Sequence, residues 1–208
     1  MTSPHWHLTL HRRGSVGASG GEALPLGSKV AGLLTYLAVE GPTPRSTLAG
    51  LLWPEVTEAT ARNNLSQALN RHRTLLDRSH DRGGHLVQLA ANVDTDVHQG
   101  SELLLDHEFS GSPDFLEWLV ACRERFRLAQ VAACRNQILD CEQQGDLSAA
   151  LTLNTQLLSL DELSEEAHRR QMRLHYLLGD RASALSAYRH CQAVLRRELN
   201  VKIGRAHV

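Results

Sequence analysis

Cysteine is scarce. Four occur in 208 residues, at positions 122, 134, 141 and 191, none in a CxxC pair and all within strongly helical sequence. Disulfide-stapled secreted domains are denser in cysteine and richer in loops, so Cys122, Cys134, Cys141 and Cys191 read as small buried hydrophobes of a reducing compartment. No run of about 18 uninterrupted apolar residues is present, so no membrane-spanning helix is expected. The opening MTSPHWHLTL lacks the apolar segment of a secretory signal. A cytoplasmic chain with no membrane partner is the expectation. Net charge is missing too: 22 Lys+Arg against 23 Asp+Glu leave −1. That excludes a uniformly basic nucleic-acid coat and an acidic disordered tail. Catalytic signatures are also lacking. Twelve histidines form no HExxH motif. There is no nucleophile elbow, no carboxylate pair beside a Gly-rich loop and no GxxxxGK[ST] loop. No enzyme activity, no cofactor and no metal are expected.

What is present divides near residue 95. Residues 1–94 hold nine Lys/Arg against seven Asp/Glu, a net +2; residues 95–208 hold thirteen against sixteen, a net −3. The first part carries strand-like alternation and most of the glycine and proline, and the second is almost continuous helix-former. Two domains, 1–94 and 95–201, are the simple reading.

In the first part, His5-Trp6-His7-Leu8-Thr9-Leu10 alternates like a half-buried strand. Ala23-Leu24-Pro25-Leu26 suits a short edge strand, where proline is tolerated. Ser28 is placed to cap a helix running to about Val39, and Ser46 a second from Thr47 to Trp53, stopped by Pro54. Thr57 is placed to cap a third helix from Glu58 to about Leu76, some 18 residues long. On it, Ala61, Leu65, Ala68, Leu69, His72, Leu75 and Leu76 share one side, and Asn63, Ser66, Gln67, Asn70 and Thr74 the other. Arg62, Arg71 and Arg73 border the polar side, and no acidic residue lies between Ala59 and Leu76. His85-Leu86-Val87-Gln88-Leu89 then alternates like one side of a hairpin.

Solvated helix faces usually mix Glu with Lys and Arg. An acid-free, amide-rich face suits a DNA groove instead. Asn and Gln make paired hydrogen bonds to adenine, and Arg to guanine or phosphate. The expectation is that Asn63, Gln67 and Asn70 read bases and that Arg62, Arg71 and Arg73 contact phosphate or guanine. Ser46 and Thr47 are candidates to bond phosphate at a helix start. The expected partner is double-stranded DNA, and the hairpin would supply a wing to the adjacent minor groove. The alternative is an adaptor whose winged helix docks protein; such a helix would expose apolar anchors where these three amides stand.

Three runs carry a resemblance: Lys29-Val30-Ala31-Gly32-Leu33-Leu34-Thr35-Tyr36-Leu37-Ala38, Leu48-Ala49-Gly50-Leu51-Leu52-Trp53-Pro54, and Ala61-Arg62-Asn63-Asn64-Leu65-Ser66-Gln67-Ala68-Leu69-Asn70-Arg71. They resemble the N-terminal winged helix of SARP-type bacterial transcriptional activators. His72 departs from the leucine usual in that family and is read as a core histidine, and the segment 78–84 is short.

The second part repeats every 34 residues. Gly145-Asp146 recurs as Gly179-Asp180, Ala150-Leu151 as Ala184-Leu185, and Gln137 as Gln171. That period, with Gly-Asp between helices, is the tetratricopeptide signature. It predicts the helix pairs Val131–Gln144 with Leu147–Leu160 and Glu165–Leu178 with Ala182–Leu199, preceded by a helix from Pro113 to about Ala129. The repeat concavity is the candidate surface for peptides or partner helices. Pro113-Asp114-Phe115-Leu116-Glu117-Trp118-Leu119 with Arg123-Glu124-Arg125 resembles the opening of the bacterial transcriptional activator domain (BTAD), the helical half of SARP-type proteins. The fold class is therefore mainly α: an N-terminal winged helix-turn-helix with short strands, then an all-α tetratricopeptide-like domain. The resemblance implies an activator that binds promoter direct repeats as a homodimer and contacts RNA polymerase. Residues 202–208 depart from the family continuation and are read as a non-native tail, the native protein being longer.

Overall fold

The computed structural model describes residues 4–77, 85–98, 100 and 102–199. The tail 202–208 and the short segment 78–84 lie outside the described residues. The chain falls into two compact units, Met1–Phe126 and Arg127–Val208.

The N-terminal unit opens with a four-stranded sheet. β1 (Trp6–Thr9) pairs antiparallel with β2 (Ser15–Ala18), and β2 with the edge strand β3 (Leu24–Pro25). Three helices follow: α1 (Ser28–Glu40), α2 (Arg45–Leu52) and α3 (Glu58–Arg71). A second sheet joins β4 (Thr43–Pro44), β5 (Leu76–Asp77) and β6 (Leu86–Leu89) in the order β4-β6-β5, with Leu76 opposite Leu89. β7 (Val93–Thr95) then returns parallel to β1. Three helices and a β5-β6 pair at their exit are consistent with a winged helix.

One core serves this whole unit. Leu33, Leu34 and Leu37 of α1 meet Leu48 and Leu52 of α2 and Ala61, Leu65 and Leu69 of α3. Val97, Leu103, Leu104 and Phe109 join the same cluster, as do Phe115, Leu119 and Cys122 at the start of α4 (Pro113–Gln144). Lys29 Nζ fixes the end of α2 by donating to the Leu52 carbonyl and to Ser112 Oγ, each at 2.6 Å.

Several boundaries differ from the sequence reading. The N-cap of α1 is Gly27, and Ser28 Oγ lies 3.2 Å from His107 Nδ1 instead of capping. α2 starts at Arg45, two residues before the expected Thr47, with Pro44 as N-cap; Ser46 is inside the first turn. Proline's fixed φ and lack of an N–H suit a helix entrance, so the helix can begin directly behind it. α3 is 14 residues long, not some 18: at His72 (φ −109°, ψ 29°) the chain leaves the helix, and Arg73–Leu75 form a 3₁₀ turn. That turn delivers Leu75 and Leu76 to the core from a different backbone geometry. The Thr57 cap is as expected, its hydroxyl accepting from the Thr60 N–H.

The C-terminal unit contains the rest of α4, then α5 (Leu147–Leu160), α6 (Glu165–Leu177) and α7 (Arg181–Leu199). The expected break near Gln130 is absent; α4 runs unbroken for 32 residues, since nothing between Ala129 and Val131 stops a helix. Val131, Ile138, Ala150, Leu157, Ala167 and Leu174 make its core. The two Gly-Asp turns explain the period. Gly145 (φ 77°) and Gly179 (φ 82°) end their helices in the left-handed region. Asp146 and Asp180 then cap the next helix, accepting from the N–H of Ala149 and Ser183, each at 2.9 Å.

Two histidines of the N-terminal unit link its stability to pH. His107 Nε2 accepts from the Gly14 N–H at 2.9 Å, so its proton sits on Nδ1, facing Ser28. Burial pushes the His107 pKa down; burial and then the adjacent Arg71 guanidinium do the same for His72. Both groups are neutral above their ordinary value near 6.5 and contribute no pH dependence there. Below it the unfolded chain takes up protons that the folded chain excludes, so stability is lost as pH falls toward the folded pKa values. Calorimetry should show Tm falling from pH 7.5 to 5.5, and His72→Leu should make that fall smaller. An unchanged slope in the variant would remove His72 from the account.

Candidate nucleic-acid interface

Asn63, Gln67 and Asn70 are all exposed on α3. Their spacing of four and three residues places them on one face of the helix. Thr57 and Glu58 complement the N-terminal end of α3, and Arg71 complements its C-terminal end. Arg71 and Arg73 are exposed, and among the described residues neither has an ion-pair partner. Arg73 stands on the 3₁₀ turn beyond α3, so it extends the basic edge past the helix end.

Arg62 is placed differently. Its guanidinium contacts the Glu58 carboxylate one turn earlier, so an acidic residue just outside the acid-free stretch engages one of the expected phosphate contacts. Both side chains are exposed, and such surface pairs are weak and easily exchanged. Ser46 and Thr47 are exposed in the first turn of α2. Ser46 and Arg62 line one cavity of about 480 Å³ with Arg45, Ser66 and His85, whereas Thr47 is outside it.

Arg45 was missed in the sequence. Its backbone N–H donates to the His85 carbonyl at 2.8 Å, and its Nη2 donates to Ser66 Oγ at 2.9 Å. Ser66 Oγ in turn donates to the Arg62 carbonyl at 2.8 Å. The half-buried guanidinium thus ties the start of α2 to the middle of α3, and the Arg45 backbone N–H ties α2 to the approach of β6. Among the described residues no carboxylate lines the cavity; its polar side chains are two guanidinium groups, an imidazole and two hydroxyls. Such a set suits an anion. Pro44 is the N-cap, so Arg45 is the first residue of α2.

The described wing strands are β5 and β6, paired Leu76 to Leu89 and Asp77 to Gln88. Their connection, where wing contacts were expected, lies outside the described residues.

The bacterial transcriptional activator domain matches residues 95–207. This chain belongs to that family. The match starts at the end of β7 and includes α4 through α7, while residues 1–94, with all of α3, lie outside it. Among curated proteins none matches the chain. BTAD is a regulatory family, a transcriptional activator domain and not a class of enzymes. No helix among the described residues is long and apolar enough to cross a membrane.

Proposed function

We propose that the chain is a sequence-specific, DNA-binding regulator of transcription in the cytoplasm, with residues 1–94 as the DNA-reading domain and 95–201 as its activator domain. The observation that carries this is the exposed face of α3: three amides in helical register, with Arg71 and Arg73 beyond them. In this reading α3 enters the major groove, Asn63, Gln67 and Asn70 meet base edges, and Arg62, Arg71 and Arg73 meet phosphate or guanine. Ser46 and Thr47 approach the backbone from the start of α2, and Arg45 joins them as an anion contact. Membership of an activator family supports the further reading that it acts as a homodimer on direct repeats and contacts RNA polymerase.

Gln67→Ala and Arg71→Ala separate the two kinds of contact. Loss of a paired base contact should cost roughly 1–3 kcal/mol and relax specificity at one position. Loss of a phosphate contact should weaken all sequences alike and lower the slope of log affinity against log salt by about one unit. The check is a titration of duplex DNA at several salt concentrations. If both variants bind as the parent does, α3 is not the reading helix. Glu58→Gln should act the other way. It releases Arg62 for phosphate, so affinity for any duplex should rise and the salt slope should steepen.

A further inference from the structure

A groove of about 620 Å³ opens across α5, α6 and α7 of the C-terminal unit. α6 contributes His168, Gln171 and His175, and α7 contributes Ser183, Ser186 and His190 at the same i, i+3, i+7 spacing. This spacing marks the stripe a helix turns toward a neighbour, normally filled with Leu or Ile. Here it is polar on both helices. The i to i+7 span is about 10 Å of helix, the length of three extended residues.

The polar groups are held in place from behind. Asn154 is fully buried and donates through Nδ2 to the Ala167 carbonyl at 2.9 Å and to Gln171 Oε1 at 2.7 Å. That fixes the amide of Gln171: its oxygen is taken, and its Nε2 donates to Thr155 Oγ1 at 3.2 Å. The second Nε2–H has no partner among the described residues. His168 donates from Nε2 to the Glu162 carbonyl at 2.9 Å, which fixes its ring. The one carboxylate among the described residues of the lining, Glu162, receives Arg197 Nη2 at 3.0 and 3.1 Å. The groove therefore offers oriented donors, hydroxyls that both donate and accept, and imidazoles, with its negative charge already neutralised.

We infer that this groove binds a short extended peptide segment that carries a carboxylate side chain. Hydroxyl and amide groups match the alternating N–H and C=O of an extended backbone. Gln171 donates to that backbone, and His175 and His190 face the acid. Leu158 and Ala187 are the apolar side chains of the lining, set among polar groups that can orient a ligand. Asp180 in the α6–α7 turn stands beside His175, and the rings of His168 and His190 face each other with centroids 5.9 Å apart. The inference does not rest on DNA reading by α3.

The test is selection of phage-displayed random octapeptides on the full chain, with counter-selection on Ala187→Trp, which fills the groove. Peptides rich in Asp or Glu should emerge. Synthetic representatives should lose at least tenfold in affinity with His190→Glu. Gln171→Glu keeps an acceptor for Asn154, so it preserves the fold while repelling the acid; it should also lose at least tenfold. Circular dichroism checks that each variant is folded. No enrichment over the counter-selected variant overturns the inference. So does binding indifferent to His190→Glu and Gln171→Glu. Full displacement by an equimolar amount of citrate would assign a small-anion pocket instead and overturn the peptide reading.

Discussion

Phe115→Ala is expected to destabilise the N-terminal unit by about 3–5 kcal/mol, the usual cost of removing a fully buried aromatic side chain. Phe115 is 0% exposed. Its ring lies 4.6 Å from that of Phe109 and 5.3 Å from that of Trp118. A Cβ at Gly32 would stand 3.0 Å from Phe115 Cζ, so the ring rests directly on the backbone of α1. Trp118 continues the contact: its ring is 4.7 Å from Tyr36, and its Nε1–H donates to Glu40 Oε1 at 2.9 Å. Alanine would leave a void that α1, held by α2 and β6 on its other sides, cannot close. At several degrees per kcal/mol for a unit of this size, Tm should drop by on the order of 15 °C. Calorimetry on the whole chain reads this directly. A loss under about 1 kcal/mol would mean that the start of α4 is not part of the N-terminal core.

The second large effect is on recognition. Asn63 and Gln67 are exposed one turn apart on α3, and neither contributes to the core. The double variant Asn63→Ala/Gln67→Ala should therefore fold as the parent does, because alanine is the better helix former. If each amide makes a paired base contact, the double variant should lose roughly 2–6 kcal/mol of discrimination, the costs at separate base pairs being nearly additive. Binding to unrelated duplexes should barely change, since the arginines remain. The measurement compares specific with random duplex at one salt concentration. Equal loss on both would assign these amides to the phosphate backbone.

Much of the architecture was legible because it is written in local rules. The Gly-Asp turns announce themselves every 34 residues, and each does two jobs: a left-handed helix end and a cap for the next helix. The apolar side of α3 was readable from Ala61, Leu65 and Leu69. What escaped were features set by distant partners. Nothing near Ser28 reveals that its hydroxyl faces His107, 79 residues away, while Gly27 takes the cap. The early end of α3 follows from the need to bury Leu75 and Leu76 against the second sheet, which periodicity alone extends as helix. Arg45 looks like an ordinary surface arginine until the fold brings Ser66 to it. At the interface, the amides and arginines could be picked out by composition. The Glu58 contact that engages Arg62 depends on one residue just before the acid-free stretch.

The central claim is that α3 reads DNA sequence. Selection of the chain against a pool of random duplexes, repeated at two salt concentrations, tests it most directly. A single enriched direct repeat, bound with an affinity that falls steeply as salt rises, is the predicted result. Weak binding with no enriched sequence at either salt concentration would contradict it.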